Sequence, residues 1–254
     1  MMDVVLIQAD LVWNAPQANR ESFERKITGI DKADLVILPE MFPTGFCTHP
    51  RGVAEPADGE TLHWMQRVAR EKAVALCGSV ATEVDGHYYN RFYFVFPDGS
   101  YRYYDKRHLF TFGGEHKEYT AGKERVIIEY KGWRILLQVC YDLRFPVWSR
   151  NRGDYDMIIY VASWPTPRVE AWSALLRARA IENLCYVAGV NRVGDDPNCT
   201  YCGESVLLDF LGKPMAGGAR GKEGVLCGVL DREALTAFRE KFPALQDGDD
   251  FTLQ

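Results

Sequence analysis

The chain predicts an α/β fold in which sheets are covered by helices on their outer faces, and three observations carry that expectation. Short apolar runs of strand composition alternate with stretches at helical spacing, hairpin-type turns join a second group of strands, and 47% of the 254 residues are apolar, enough for a large core. No Pro-, Gly- or Ser-rich linker and no internal repeat divides the sequence, so we expect one domain over 1–254 with a C-terminal tail at about 231–254.

In chain order, 4–9 is an apolar strand, 17–29 a polar helical stretch and 35–38 a short, wholly apolar strand. The cycle repeats with a helix over 60–72 and a strand over 74–81. Strands at 88–96, 101–105, 126–130 and 133–139 follow; Pro97-Asp98-Gly99 and Lys131-Gly132 between them are hairpin turns, so antiparallel pairs are mixed in. Another apolar strand spans 157–163. The clearest helix spans 169–183, with Trp172, Leu175, Leu176 and Ile181 near helical spacing, and strands at 185–191, 203–210 and 225–230 complete the set.

A net charge of −5 offers no footprint for nucleic acid or an anionic membrane, which leaves a small molecule as the expected partner. No apolar run approaches the roughly 18 residues of a membrane span, and Met1-Met2-Asp3-Val4-Val5 lacks the basic start and apolar core of a secretory signal. Seven cysteines, an odd number spread along the chain, fit a reducing compartment and mostly free thiols, so we expect a cytoplasmic protein.

Three segments carry candidate chemistry. In the first, the apolar run 35–38 is followed by Pro39 and then Glu40, a carboxylate at the C-terminal end of a strand, where α/β sheets place reactive groups. Standing alone, Glu40 would better suit a helix cap or a solvated loop. In the second, the aromatic strand at 101–105 ends at Lys106, a cation that could stabilise an oxyanion and favour a nearby thiolate; a Lys-Arg pair by itself also fits a solvated face. In the third, the strand over 133–139 ends at Cys140. A thiol with a pKa of about 8.5 is mostly protonated at neutral pH, so a nucleophilic Cys140 needs a base, and Glu40 can be that base. His108, beside Lys106, is the alternative partner in a Cys-His pair.

Pro39-Glu40-Met41-Phe42, Asp105-Lys106-Arg107-His108-Leu109-Phe110 and Cys140-Tyr141-Asp142-Leu143-Arg144-Phe145-Pro146 resemble, in order and spacing, the three catalytic signatures of the nitrilase superfamily. The similarity runs from about Val4 to Leu230. It implies a four-layer α-β-β-α sandwich in which Glu40 is general base, Lys106 stabilises the tetrahedral intermediate and Cys140 carries the acyl group as a thioester. The backbone N–H of Tyr141 would be the second oxyanion donor. An auxiliary glutamate in the loop after the lysine maps to Glu115, with Glu118 as competitor. The resemblance also implies a homodimer or larger homo-oligomer, and the tail's Phe238, Phe242 and Leu245 could reach a partner.

The stretch 162–168, the helix containing Trp172, and Gly189-Val190-Asn191-Arg192 are most similar to the bacterial omega-amidase branch, which releases ammonia from 2-oxo dicarboxylic acid monoamides such as 2-oxoglutaramate or 2-oxosuccinamate. Such a substrate needs a cation for its distal carboxylate, and Arg168 is the candidate; Arg144, Arg177 and Arg179 are expected in structural pairs with Asp142 or Glu182. Phe42, Phe46, Tyr119 and Trp164 are candidate pocket walls, although each also suits plain core. The chemistry needs no metal or organic cofactor. Nitrile hydrolysis, N-carbamoyl hydrolysis and acyl transfer to another amine would use the same three residues. A non-catalytic scaffold is another reading, as is a thiol or zinc site at Cys199 and Cys202, which would lack a second ligand pair.

Overall fold

Alternation along the first strand sets the layering: Val4 and Leu6 face one hydrophobic cluster, Val5 and Ile7 another. The computed structural model describes residues 1–252. Its elements run β1 (Met2–Gln8), α1 (Pro16–Thr28), β2 (Leu35–Ile37), β3 (Glu55–Pro56), α2 (Glu60–Lys72), β4 (Ala75–Val84), β5 (His87–Val95) and β6 (Tyr101–Asp105). Next come β7 (Ile127–Tyr130), β8 (Trp133–Val139), α3 (Pro146–Ser149), β9 (Met157–Ala162), α4 (Val169–Asn183) and β10 (Tyr186–Asn191). The chain continues through β11 (Val193–Asp195), β12 (Thr200–Cys202), β13 (Val206–Leu208), β14 (Pro214–Gly217), β15 (Gly224–Leu230) and α5 (Arg232–Lys241).

One sheet has the order β15-β1-β2-β4-β5-β6, with β3 beside β4; the other has the order β14-β13-β10-β9-β8-β7. The central strands β1, β2 and β4 are parallel, as are β8, β9 and β10; β3 also pairs parallel with β4, and the other flanking strands pair antiparallel. The inner faces of both sheets share one core, in which Leu6, Ile37 and Phe94 meet Ile135, Val139 and Ile159. Helices α1 and α2 cover the outer face of the first sheet through Phe23, Ile27, Met65 and Val68. Helix α4 covers the second through Trp172, Leu176 and Ala180. This is the four-layer α-β-β-α sandwich expected from the sequence.

The layering gathers strand ends. Strands β2 and β4 are parallel, and β6 runs in the same direction because it is antiparallel to β5, which is antiparallel to β4. The residues just after β2 and β6 therefore emerge at one end of the first sheet, as those after β8 and β9 do on the second.

Differences from the expected elements include the short β3, which was not expected, and lie otherwise in the second half. The strand expected over 203–210 contracts to Val206–Leu208, because Gly203 and Glu204 adopt left-handed conformations with φ of 77° and 58°. The β11-β12 hairpin was not anticipated. The segment after Leu230 forms α5 and packs back on this chain: Asp231 caps it, Arg239 bonds Asp156 and the carbonyls of Tyr155 and Leu184, and Phe238 stacks on Phe210.

Candidate active site

Pro39 cannot donate to the sheet, and Met41, at φ 42°, turns the chain just after β2. Ser79 of β4 pins this turn, its hydroxyl accepting from Met41 N and its carbonyl from Phe42 N. Glu40 thus points inward and is fully buried. At the end of β6, Lys106 N donates to Asn90 O of β5, and the side chain is buried beside Glu40. After β8, Cys140 takes φ 47° and opens a 3-10 turn over Cys140–Arg144. A non-glycine residue held there costs about 1–3 kcal/mol, the kind of strain that fold packing sustains at reactive positions.

These ends converge on one polar cluster. Lys106 Nζ lies 3.0 Å from Glu40 Oε1 and 3.1 and 2.9 Å from the two oxygens of Glu115, all with side chains of 0% exposure. Asn90 Nδ2 donates to Glu40 Oε1 at 2.8 Å and to Glu115 Oε1 at 3.2 Å, bridging the carboxylates. Ser163 N, just after β9, donates to Glu40 Oε2 at 2.8 Å, and Phe110 N to Glu115 Oε2 at 2.6 Å. Glu115 is therefore part of the cluster, whereas Glu118 is exposed.

Burial alone would push the Lys106 ammonium toward neutrality, but the Glu115 and Glu40 carboxylates outweigh it and hold its pKa well above the ordinary value. Burial raises the Glu115 carboxyl, partly opposed by Lys106. Burial, reinforced by Glu40, pushes the Cys140 thiol well up, and Lys106 only partly offsets this. Cys140 is therefore a protonated thiol at rest, with the Glu40 carboxyl that would take its proton near enough to help raise its pKa. The three N–H groups of Lys106 are matched by three carboxylate oxygens, and Lys106 also lines the cavity, where an oxyanion could take the place of one of them. The Tyr141 N–H sits in the first turn of the 3-10 segment, where backbone donors have no intrahelical acceptor.

Lys106, Cys140 and Ser163 form the floor of a cavity of about 400 Å³. Phe46, Phe110, Tyr141 and Trp164 wall it, and Phe112, Arg144, Arg168, Asp196 and Cys199 stand around it. Arg144 lies 5.0 Å from the Trp164 ring centre; Arg168 lies 5.2 Å from Phe110 and 5.9 Å from Phe112. Among the described residues, no ion-pair partner stands within 4.0 Å of either guanidinium.

Several expectations need correction. Phe42 does not reach the cavity: its backbone turn directs the ring behind Glu40, where it packs against Phe23 and Trp64 under α1 and α2. Tyr119 is buried behind the floor against Met41 and Ala81, its hydroxyl donating to Cys47 O at 2.7 Å. Arg144 does not pair with Asp142, because Asp142 is taken by Tyr104, His108 and the backbone; Arg179 does pair with Glu182, at 2.7 Å. His108 turns to Asp142 and stacks on Phe145, so it serves Cys140 poorly as a base. Cys199 lines the cavity and Cys202 is buried beneath α4.

The sequence reading passed over Asn90, Ser163 and Asn191. Asn90 had a signal, a single amide inside the aromatic run Tyr88 to Phe94. Asn191 clamps the Ser163-Trp164 loop, accepting from Trp164 N at 2.7 Å and donating to Trp164 O at 3.0 Å. A polar side chain ending a fully buried strand was its signal.

A model of the carbon-nitrogen hydrolase family matches residues 4–240. The chain is 49% identical to omega-amidase YafV of Yersinia enterocolitica, over 99% of this chain and 98% of that one. It is 33% identical to 2-oxoglutaramate amidase of Bacillus subtilis, over 95% of each. Among solved structures, XC1258 of Xanthomonas campestris, a CN-hydrolase superfamily protein with an arsenic adduct in its active site, superposes with a TM-score of 0.97 at 46% identity, covering 100% of this chain and 99% of that one.

Proposed function

Because the chain belongs to the carbon-nitrogen hydrolase family and is an amide hydrolase, we propose that it removes ammonia from the terminal amide of a 2-oxo dicarboxylic acid monoamide through a thioester on Cys140. The observation that carries the proposal is the pairing, in one cavity, of a buried Glu40-Lys106-Cys140 floor with two guanidinium groups, Arg144 and Arg168, that have no carboxylate of their own among the described residues. The floor suits acyl transfer. The arginines suit an acyl group with a second, negatively charged end.

In this mechanism Cys140 Sγ attacks the amide carbon while Glu40 takes the thiol proton, so no free thiolate accumulates. The carbonyl electrons move to oxygen, where Lys106 Nζ and the Tyr141 N–H stabilise the charge. Glu40 returns the proton to the departing nitrogen, the carbon–nitrogen bond breaks and ammonia leaves. Glu40 then deprotonates a water that attacks the thioester; the carbon–sulfur bond breaks, the sulfur regains the proton and the 2-oxo acid departs. Glu115 holds Lys106 in place and balances its charge.

Arg168 is the expected carboxylate partner, and Arg144, 5.0 Å from the Trp164 ring centre and lining the same cavity, joins it as a candidate. The reading includes a cytoplasmic homodimer, and the free state of all seven cysteines supports a reducing compartment. The test is ammonia release from 2-oxoglutaramate, 2-oxosuccinamate and an uncharged aliphatic amide. Cys140→Ala should abolish release from all of them while remaining folded; retained turnover would reject Cys140 as nucleophile. Faster turnover of the uncharged amide than of the acids would reject the substrate class.

A further inference from the structure

The mechanism leaves one buried charge without a task. Asp142 has 0% exposure, does not line the cavity and follows Cys140 by two positions. Its oxygens are fully used. Oδ1 accepts from His108 N at 2.9 Å and lies 2.8 Å from His108 Nδ1, a donor in the tautomer that bonds. Oδ2 accepts from Tyr104 O–H at 2.8 Å and from Val139 N at 3.0 Å. The Tyr104 oxygen in turn accepts from Arg107 N and Trp148 Nε1, each at 3.1 Å.

These partners form a pattern. Tyr104 and His108 lie two residues before and two residues after Lys106, while Val139 and Asp142 bracket Cys140. One carboxylate thus ties together residues on both sides of the lysine, through the Tyr104 hydroxyl and His108 N, and the backbone just before the thiol, through Val139 N. The two come from different sheets, so a carboxylate bonded to both segments ties their spacing across the sandwich. Directional bonds to a buried anion are shorter and stronger than neutral ones and fix distance and angle together.

We propose that Asp142 is a positioning residue that sets the distance between Cys140 Sγ and Lys106 Nζ and the aim of the Tyr141 N–H. It acts through Tyr104 and His108 and touches no substrate. This proposal rests on the reading of Cys140 and Lys106 given above. Because the spacing matters most when the oxyanion forms, losing the tether should lower kcat and leave KM nearly unchanged.

Asp142→Asn is the direct variant, but it sets an amide N–H against the donors at Oδ2 and could prevent folding. Tyr104→Phe keeps the ring in the core and removes only the hydroxyl. Steady-state kinetics with 2-oxoglutaramate, run beside a thermal melt, decide the matter. For Tyr104→Phe we expect kcat to fall about tenfold or more, toward the hundredfold loss that a 1 Å misplacement brings, with KM within about threefold. Folded Asp142→Asn should fall further. A smaller fall in kcat for Tyr104→Phe, or a loss carried mainly by KM, would overturn the proposal even if the melting temperature drops. Cys140→Ala separates the two failures: if that variant still turns over, the nucleophile reading is wrong, whereas a dead Cys140→Ala with an undiminished Tyr104→Phe rejects only the tether.

Discussion

The floor of the cavity and its mouth hold charge in opposite ways. At the floor, Lys106, Glu40 and Glu115 are sealed from water and satisfy one another, with Asn90 and two backbone N–H groups completing the bonds. At the mouth, Arg144 and Arg168 stand over aromatic rings, 5.0 and 5.2 Å from their centres, with no carboxylate in reach among the described residues. Buried charges that are mutually paired are fixed in place, and removing one partner strands the rest. Cations on aromatic faces retain their capacity to bind an incoming anion. The floor is thus organised before substrate arrives, while the mouth is completed by it.

Lys106→Met should break this contrast most severely. It strands two buried carboxylates, so we expect a stability loss of about 3–5 kcal/mol by chemical denaturation. It also removes an oxyanion donor, which should lower kcat by about 10²–10³-fold. Retained turnover would mean that the floor does not carry the chemistry.

At the mouth, Arg168→Ala and Arg144→Ala should leave the melting temperature almost unchanged and raise KM for 2-oxoglutaramate. The loss of a charged hydrogen bond, about 1.5–3 kcal/mol, corresponds to a rise of about 10–150-fold. The uncharged amide is the internal control. An equal effect on both substrates would remove that arginine from carboxylate binding, and the variant with the larger selective effect identifies the principal contact.

The same division explains what was legible in the sequence. Glu40, Lys106 and Cys140 each follow a run of strand-forming residues, so period and punctuation alone located them at strand ends, and the α/β layering followed from the same alternation. Glu115 was legible only through its place in the loop after the lysine in the family pattern. Ser163 and Asp142 were not, because their roles depend on which strands become neighbours across the sandwich, and no local pattern encodes that. Phe42 and Tyr119 were misread for a related reason. An aromatic residue next to a reactive one in sequence can point to the opposite side of the chain, as the turn at Met41 makes Phe42 do.

Glu115→Gln sharpens the contrast through pH. Burial raises the folded-state carboxyl of Glu115 above its unfolded value of about 4.3, so its ionisation opposes folding. The sign follows from linkage: this group's favourable contribution is complete below the unfolded pKa and is lost as pH rises through the folded one. The wild-type protein should therefore lose stability relative to Glu115→Gln as pH climbs from about 4 through the weakly acidic range. Parallel melting curves across that range would exclude a raised pKa. Carboxylates such as Asp154 and Asp156, held low by arginines despite burial, contribute in the opposite sense and are common to both proteins, so the difference isolates Glu115.

The smallest effect is expected just behind the floor. Tyr119→Phe deletes one hydrogen bond, from the hydroxyl to Cys47 O, and leaves the ring packed against Met41 and Ala81. That should cost about 0.5–1.5 kcal/mol of stability, with a further penalty if the Cys47 carbonyl finds no water. Because the hydroxyl faces the backbone of the 41–47 loop and not the cavity, KM and kcat for every amide should stay within about twofold of the wild type, the range that a change without transition-state contact leaves. A selective rise in KM for the 2-oxo acid amides would instead show that Tyr119 turns into the pocket when substrate binds. The boundary between a fixed floor and a responsive mouth would then run one layer deeper than the unliganded geometry draws it.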